Sequence, residues 1–366
     1  MKIPAAVLGE PNAPFVIEDV ELAEPRVGEV LVRMAAAGVC HSDWHLVSGA
    51  TKHPMPVVAG HEGSGVVEAV GPQVEGIAPG DHVVLCWAPS CGRCRPCLDN
   101  KPYLCRTFTP LRWAGVLLDG STRLSRGGAP LYHFCALGCF AARVVVRQES
   151  CVVIRRQVPL EVAALVGCAV STGAGAVLNT AAVRPGQSLV VVGCGGVGLS
   201  AVLGAHLAGA WPVVAVDKIE QKLNIARQLG ATHAVASGPA AAAAVREITA
   251  GGADHVIEAV GAPALQEQAL EMLGPGGTLT LCGLAPGDSA MRFPSARLVR
   301  EELTVRGCYY GSCIPRRDFP RLLELFLAGR LDLPGLISRY YRLEQINEAF
   351  AAMLAGDSAR GVIVFD

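Results

Sequence analysis

The pattern of apolar and polar positions divides the chain into two parts. Up to about residue 150, short apolar runs are separated by glycine, proline and aspartate, which is typical of a β-rich, barrel-like domain. From about Gln187, apolar runs of strand length alternate with helix-like segments, and this alternation predicts a parallel sheet covered by helices on both faces. The predicted strands of the second part are 189–192, 213–216, 234–236, 255–258, 278–282 and 303–307. For a chain of 366 residues, two domains are the expected number.

Two stretches without Asp, Glu, Lys or Arg, 162–183 and 189–216, have the length of membrane spans. Six glycines and Pro212 interrupt the second stretch, which favours a buried strand, a tight turn and a buried helix. The N-terminal segment has no targeting pattern, so we expect a cytoplasmic protein. The formal net charge of −1 gives no reason to expect nucleic acid or a membrane surface as partner, and it favours a small neutral molecule.

Four of the fourteen cysteines lie in the segment CGRCRPCLDNKPYLC, at Cys91, Cys94, Cys97 and Cys105. Four thiolates so close in sequence can complete a tetrahedral shell around zinc with no position left for a substrate, so the spacing predicts a structural zinc site. Free cysteines in a loop and an iron–sulfur cluster are the alternatives. Disulfides are not expected in the reducing cytoplasm.

A glycine motif follows the first predicted strand of the second part. In LVVVGCGGVGLSAVLGAHLAGA, the glycines Gly193, Gly195 and Gly198 allow a tight turn and a close approach of the backbone to a pyrophosphate at a helix N-terminus. The next predicted strand ends at Asp217, where a carboxylate would bind the adenosine ribose and repel a 2′-phosphate. The arrangement predicts a doubly wound, Rossmann-type domain that binds NAD, and a structural glycine turn is the alternative.

Several motifs occur in the order found in one known family. They are GVCHSD, GHEGSG, the four-cysteine segment, GCAVSTG and GCGGVG. With these motifs the chain resembles the medium-chain, zinc-containing alcohol dehydrogenases over its whole length, and the segment DGSTRLSRGGAPLYHF is similar to the liver-type and glutathione-dependent branches. The resemblance implies an NAD-dependent enzyme with two zinc ions in each chain, one catalytic and one structural.

The resemblance also implies the ligands of the catalytic zinc, which the spacing of the residues does not establish. Cys40, His61 and Cys168 match the family's three ligands, and this donor set leaves a fourth position open for a substrate. Asp43 would hydrogen-bond to His61, and Glu62 would lie beside the metal as an indirect or transient ligand.

Further residues match the family's proton relay and cofactor contacts. Ser42 and His45 would carry the proton of the alcohol to solvent, although a turn hydroxyl and a surface histidine are the simpler interpretation. The positions matched to cofactor contacts are His41, Gly193, Gly195, Gly196, Val197, Gly198, Asp217, Lys222 and Arg360. Among these, His41 and Arg360 would contact the pyrophosphate and Lys222 the ribose, whereas most Lys and Arg side chains are simply solvated.

The alcohol pocket of the liver-type branch corresponds to Thr51, Trp87, Pro110, Phe134 and Tyr309. Three aromatic residues among these predict an apolar slot for a primary aliphatic or aromatic alcohol, with core packing as the alternative for each. Thr51 and Thr109 stand where the glutathione-dependent branch has charged residues. Oxidation of S-(hydroxymethyl)glutathione is therefore less expected.

Two other functions fit the same sequence. The chain could be a nicotinoprotein, in which NAD stays bound while two substrates exchange hydride. It could also be a non-catalytic, zinc-binding structural relative, although such a protein would be expected to have lost Cys40, His61 or Cys168.

The predicted architecture is of the α/β class. A β-rich, GroES-like catalytic domain, a partly open barrel, spans 1–170 and is completed by 311–366, and the Rossmann domain spans 171–310. The zinc, nicotinamide and substrate are expected in a cleft between them. The resemblance favours a homodimer, with a tetramer as the second choice.

Overall fold

Short strands dominate the first part of the chain, and strands alternate with helices from residue 189 onward. The computed structural model describes residues 1–356 and 359–366. Its strands are β1 (Lys2–Leu8), β2 (Val16–Leu22), β3 (Glu29–Gly38), β4 (Val57–Val58), β5 (Gly63–Val70), β6 (His82–Leu85), β7 (Leu124–Arg126), β8 (Ala129–His133), β9 (Arg143–Arg147), β10 (Cys151–Ile154), β11 (Leu189–Val192), β12 (Val213–Asp217), β13 (His233–Ala236), β14 (Ala253–Glu258), β15 (Leu273–Leu281), β16 (Thr304–Gly307), β17 (Ile337–Tyr341) and β18 (Arg360–Val364). Its α-helices are α1 (His41–Val47), α2 (Arg95–Leu98), α3 (Phe108–Ala114), α4 (Leu160–Ala163), α5 (Ala169–Gly175), α6 (Gly196–Ala208), α7 (Glu220–Gln228), α8 (Ala241–Ile248), α9 (Pro263–Glu271), α10 (Ser295–Arg300), α11 (Pro315–Leu327) and α12 (Ile346–Ala355).

The chain forms two units. The first comprises Met1–Cys168, Ile314–Leu327 and Ile337–Asp366, and the second comprises Ala169–Cys313 and Ala328–Leu336. The sequence placed 328–336 in the first domain, whereas the structure assigns this segment to the second unit. The reason is packing, because Leu331, Leu333 and Leu336 are buried and the segment lies against Leu229, which follows α7.

The first unit has two β-structures. Strands β1, β2, β7, β8 and β4 form a closed barrel, and an open sheet has the order β10, β6, β5, β3, β18, β17, with β9 also paired to β3. The predicted partly open barrel is thus a closed barrel and a separate open sheet. The C-terminal strand β18 pairs with β3, with Val362 opposite Gly38, and this pairing brings the end of the chain to the residues before Cys40.

The second unit is a doubly wound α/β fold, as predicted. Its six strands pair in the order β13, β12, β11, β14, β15, β16, and every pairing is parallel. This order is typical of dinucleotide-binding sheets. Buried residues such as Val190, Val214, Val256 and Leu279 form its core, which explains why these strands have continuous apolar runs.

The uncharged stretches of the sequence are largely buried in this fold, although Trp211 in the second is 64% exposed. The second stretch forms β11, α6 and β12, as predicted, whereas 162–183 contains α4, α5 and a π-helix at Ala176–Ala181. In the described part of the chain, no single helix is long and apolar enough to cross a membrane, and only the bent pair 160–167 and 169–181 meets the criteria of length and composition.

A buried ion pair fixes the long segment between α3 and β8. Arg123 donates from Nε and Nη2 to the Glu29 carboxylate at 2.8 and 2.5 Å, and from Nη2 to Asp119 at 2.8 Å. The side chains of Arg123 and Glu29 are only 1% and 4% exposed. The backbone N–H of Arg123 donates to His133 Nε2 at 2.9 Å, and burial lowers the pKa of His133 to about 4, so its ring is neutral and can accept.

Replacement of Arg123 tests this contribution to stability. Arg123→Met leaves the Glu29 carboxylate buried without its main counter-charge, and we expect the free energy of unfolding to fall by about 3–5 kcal/mol. Urea unfolding measures the change. The control is Arg126→Met, which removes a pair with Glu18 in which Arg126 is 48% exposed, and it should cost only about 0–1 kcal/mol. Equal losses in the two variants would contradict the assignment.

Candidate metal centres and cofactor site

Four ligand-type side chains from three separate segments meet inside the first unit. Cys40 precedes α1, His61 and Glu62 precede β5, and Cys168 follows the 3-10 helix Ala164–Gly167. One ligand atom from each lies within 4.8 Å of every other, and all four residues are buried. The structure therefore brings together Cys40, His61 and Cys168, as the sequence resemblance implied, with Glu62 beside them.

Asp43 orients the histidine of this cluster. Its Oδ1 accepts the Gly60 N–H at 2.9 Å and the His61 Nδ1–H at 3.1 Å, and the carboxylate is fully buried. With Nδ1 used in this way, Nε2 is the ring nitrogen available to a metal. Gly60 permits the turn, since it has φ +90° and a Cβ there would lie 2.7 Å from the Phe140 nitrogen.

The ionisable groups of the cluster shift one another's pKa values. A hydrogen bond with Cys168, together with His61 and Arg360, lowers the pKa of Cys40 well below its usual value despite burial, whereas the pKa of Cys168 is raised. Burial alone would lower the pKa of His61, but Asp43 and the two thiols raise it well above its ordinary range. The two thiols and the imidazole thus share protons among themselves. A bound metal cation would replace these protons and take up the negative charge of the thiolates.

Arg360 lies beside the Cys40, His61 and Cys168 cluster and pairs with Glu62. It begins β18, is 5% exposed, and donates a short hydrogen bond to the Glu62 carboxylate. Burial raises the pKa of Glu62 to about 7, and Arg360 opposes that rise. Gly38 allows the contact, because a Cβ there would lie 2.7 Å from the Glu62 carboxyl carbon. The guanidinium thus neutralises Glu62 beneath the cluster, and its predicted contact with a pyrophosphate stays a prediction.

Aromatic rings line one side of the cluster. Trp87 and Phe134 lie edge-on to the His61 ring, with centroids 6.4 and 5.6 Å away. Trp113 contacts Phe134, and the buried Arg112 guanidinium lies over the rings of both Trp87 and Trp113, at 5.2 and 5.6 Å. Arg112 and Trp113 were not predicted as site residues. The only local signal in the sequence is that they are adjacent in α3.

The other predicted pocket residues lie on three different segments. Thr51 is half-buried and its N–H donates to the His45 carbonyl at 2.8 Å, so it follows α1. Pro110 is exposed on α3, and Tyr309 belongs to the second unit. Trp87 and Phe134 thus have ring contacts with His61, and the pocket roles of Thr51, Pro110 and Tyr309 stay predictions.

The predicted relay residues lie on α1, immediately after Cys40. Ser42 and His45 are three positions apart, so they are on the same face of this helix, and both are half-buried. His41 begins the helix and is exposed. The arrangement provides a hydroxyl and an imidazole on one helix face next to the cluster.

The four cysteines of the local motif form the second cluster. Cys94 Sγ lies 3.5 Å from Cys97 Sγ and 3.8 Å from Cys105 Sγ, and all four sulfurs are within 4.8 Å of one another. A tetrahedral zinc site with Zn–S bonds of ~2.3 Å has sulfurs ~3.8 Å apart, so the residues fit such an ion. Backbone N–H groups of Cys91, Cys94 and Arg106 donate to three of the sulfurs at 3.4 Å, which favours thiolates.

The glycine loop joins β11 to α6 in the second unit. Gly193 has φ +93°, and a Cβ on Gly198 would lie 1.7 Å from the Gly193 carbonyl oxygen, so both positions require glycine. A Cβ on Gly195, the residue before α6, would meet no atom within 4 Å, and this side of the loop is open to a phosphate. Gly196 and Val197 begin the helix.

Asp217 ends β12 beside this loop. Its carboxylate accepts the Cys194 N–H at 2.7 Å and the Ile219 N–H at 2.9 Å, which fixes its position. Burial and the Asp217 charge raise the pKa of Cys194 in the loop to about 12, and Lys222, half-buried on α7, is near enough to oppose that rise. The predicted acidic residue and its lysine neighbour are thus both next to the glycines.

Known proteins resemble the chain over its full length. The alcohol dehydrogenase GroES-like domain matches residues 26–156, and the zinc-binding dehydrogenase domain matches 196–328. The NDMA-dependent alcohol dehydrogenase of Amycolatopsis methanolica is 43% identical over 368 residues, covering 100% of this chain and 99% of the relative. The chain belongs to the medium-chain, zinc-containing alcohol dehydrogenases.

Two other relatives of this dehydrogenase are named for the alcohols geraniol and benzyl alcohol. Geraniol dehydrogenase of Castellaniella defragrans is 39% identical over 366 residues, covering 99% of this chain and 97% of the relative. The crystal structure of benzyl alcohol dehydrogenase from Acinetobacter calcoaceticus has a TM-score of 0.95 and 33% identity, with both chains fully covered. Membership of the liver-type branch stays a prediction.

Substitutions in the two clusters of the dehydrogenase should have different effects. We expect Cys40→Ala and His61→Ala to abolish turnover while the fold persists, because the cluster would lose a ligand of a catalytic ion. Cys94→Ala should lower Tm by roughly 5–10 °C, because a closed site contributes to folding stability. Alcohol oxidation rates, zinc content and thermal unfolding measure the three quantities.

Cys86→Ala is the matched control, since Cys86 is fully buried but outside both clusters. It should leave the zinc content unchanged. A Cys40→Ala variant that turns over normally would remove the first cluster from the mechanism, and a Cys94→Ala variant that loses only activity would contradict the structural role of the second.

Proposed function

We propose that this protein is a zinc-dependent, NAD-linked dehydrogenase that interconverts primary aliphatic or aromatic alcohols and their aldehydes. The observation that carries the proposal is the buried cluster of Cys40, His61 and Cys168 beside the rings of Trp87 and Phe134. Two sulfurs and one imidazole are the donor set of a catalytic zinc, and the adjoining wall is apolar.

Different residues of the chain would bind the metal, transfer the proton and balance the charge in this reaction. Cys40, His61 and Cys168 would hold the zinc, which acts as a Lewis acid toward an alcohol oxygen. Ser42 Oγ would accept the proton that the alcohol hydroxyl loses, and the His45 ring, on the same face of α1, would release it. Glu62 keeps its charge balanced by Arg360, so that it leaves the zinc ligands in place.

The cofactor would be NAD, held by the loop at Gly193, Gly195 and Gly198. NAD would accept the hydride of the alcohol carbon. The open side of Gly195 suits a pyrophosphate, and the fixed carboxylate of Asp217 suits the ribose hydroxyls and would repel a 2′-phosphate.

Asp217→Asn tests the choice of cofactor. The amide keeps an oxygen for one backbone N–H but loses the charge, so kcat/KM for NAD should fall by about 10- to 100-fold and that for NADP should rise. Steady-state rates with each nucleotide measure the ratio. The control is Glu220→Gln, an exposed carboxylate three positions further on, which should leave the ratio unchanged. An unaltered ratio in Asp217→Asn would refute the assignment.

Uncharged alcohols fit the aromatic wall better than glutathione adducts do. Arg112 Nη2 donates to Thr109 Oγ1 at 3.0 Å, so a cation does lie near one of the two threonines. However, Arg112 is only 3% exposed and its guanidinium lies over two indole rings. A dissolved substrate therefore cannot reach its charge. The names of the geraniol and benzyl alcohol relatives support allylic and benzylic substrates.

A substrate screen tests this part of the proposal. We expect nucleotide reduction with benzylic, allylic and longer aliphatic alcohols, and no stimulation of formaldehyde oxidation by glutathione. Phe134→Ala should raise KM for benzyl alcohol more than KM for ethanol, because the larger substrate uses more of the wall. Glutathione-dependent activity exceeding that with every alcohol would overturn the assignment.

A retained cofactor is the second candidate, favoured by one observation. The Amycolatopsis methanolica relative is named for its dependence on NDMA, a compound other than a nucleotide. Such a dependence is expected if the nucleotide stays bound and a second substrate takes the hydride. Chromatography of acid-denatured protein would reveal a stoichiometric nucleotide in that case, whereas cofactor-free protein that reduces added NAD would exclude it.

We also propose that the chain forms a homodimer through its second unit. Phe293 and Val299 of this unit are 51% and 79% exposed, and a dimer interface at this segment would cover them. Sedimentation velocity distinguishes the dimer from a monomer or a tetramer.

A further inference from the structure

Two cysteines outside both metal clusters lie at the ends of neighbouring strands. Cys282 follows β15 and Cys308 follows β16, whose last residues Leu281 and Gly307 are register partners. The Cys308 N–H donates to the Leu281 carbonyl at 2.8 Å, and the two thiols hydrogen-bond to each other. Adjacent strands are ~4.8 Å apart, within the ~4.4–6.8 Å between Cα atoms that a disulfide requires.

The Cys308 sulfur is surrounded by hydrogen-bond donors. Thr180 Oγ1 donates to it at 3.3 Å, and the Ser312 hydroxyl lies 2.8 Å from Thr180 Oγ1. The backbone N–H groups of Gly311 and Ser312 also donate to this sulfur. Tyr310, Gly311 and Ser312 have φ values of 54°, 63° and 49°. In this turn, two successive N–H groups point at one sulfur, which is the arrangement of an anion-binding nest.

The environment shifts the pKa values of the two thiols in opposite directions. The hydrogen bond from Cys282 and the donors around it lower the pKa of Cys308 to about 7, although burial opposes this. The bond with Cys308, then burial, and then the Glu258 charge raise the pKa of Cys282 well above its usual value. Arg306 is the nearby cation, and its Nη1 donates to the Thr180 carbonyl at 2.6 Å. Cys308 is thus the nucleophile and Cys282 the neighbouring neutral thiol.

The remaining cysteines outside the metal clusters are less accessible. Cys282 and Cys308 are half-buried, whereas the other six are buried, and they are Cys86, Cys135, Cys139, Cys151, Cys194 and Cys313. Burial raises the pKa of Cys135 to about 12 and also raises that of Cys151. Among the eight cysteines outside the metal clusters, Cys308 therefore combines partial exposure, a lowered pKa and an adjacent thiol.

We infer that Cys308 and Cys282 form an oxidation site, which hydrogen peroxide converts to an intrachain disulfide. The Cys308 thiolate attacks one peroxide oxygen and the O–O bond breaks, so that Cys308 becomes a sulfenic acid and hydroxide takes a proton to leave as water. The Cys282 thiol then attacks the Cys308 sulfur, an S–S bond forms, and a second water leaves. A thiol reductant reverses the change by exchange.

The position of this site links it to the cofactor. Ligands of open α/β sheets bind at the carboxyl ends of the strands, where both cysteines lie. Oxidation would therefore tie the edge strand β16 to β15 at the rim that receives the nucleotide. This consequence rests on the proposed function, whereas the thiol chemistry does not.

Peptide mapping of the full-length, zinc-loaded protein tests the inference. After brief treatment with dilute hydrogen peroxide and alkylation of the remaining thiols, we expect a peptide pair joined through Cys282 and Cys308 that dithiothreitol separates. Cys282→Ser should instead accumulate sulfenic acid at Cys308, trapped by dimedone, and Cys308→Ser should leave Cys282 unoxidised. Cys313→Ser, which removes a buried cysteine near the pair, should retain the cross-link.

Oxidation confined to the cysteines of the metal clusters, or dimedone labelling of Cys282 before Cys308, would overturn the inference. If Cys308→Ser fails to fold, the Cys282→Ser protein alone tests the inference. Dimedone-trapped sulfenic acid at Cys308 would support it, and the absence of that product would contradict it. None of these readouts uses alcohol turnover or nucleotide binding, so a failure of the proposed function would leave them interpretable.

Discussion

Burial of ionisable groups around Cys40, His61 and Cys168 is the constraint on which the first unit depends. Such groups are tolerated inside a protein only with compensating partners. Asp43 on α1 supplies the partner of His61, and Arg360 at the start of β18 supplies that of Glu62. The order of the open sheet, with β5 and β18 on either side of β3, places these partners around the ligands. The sheet topology and the charge balance of the site therefore specify the same arrangement.

Local patterns made some features predictable from the sequence. The four-cysteine cluster is encoded by spacing within one short segment, and the glycine loop by a strand, three glycines and the acid at Asp217. The cluster of Cys40, His61 and Cys168 could be predicted only with the family resemblance, because Cys168 is distant in sequence and lies in a helical segment with no ligand spacing of its own. The alternating runs of the second half sufficed for the parallel sheet, since each buried strand is apolar throughout.

Contacts between distant residues could not be predicted in this way. Arg360 and Glu62 are separated by 298 positions, and only the pairing of β18 with β3 joins them. The stacking of Arg112 between two indoles depends on how α3 packs, and the assignment of 328–336 to the second unit depends on where three leucines are buried. Each is decided by tertiary packing, which periodicity does not encode.

The two metal clusters differ in the length of chain that must be ordered to form them. The four cysteines lie within one short surface segment, and small cysteine segments of this kind can bind zinc while the surrounding chain is unstructured. The other cluster exists only after β3, β5 and the helix before Cys168 have assembled, so its ligands are brought together late, at a larger loop-closure cost. An ion at the four-cysteine cluster would thus need only one short segment to be ordered, whereas an ion at the other cluster would need three distant segments to be assembled first.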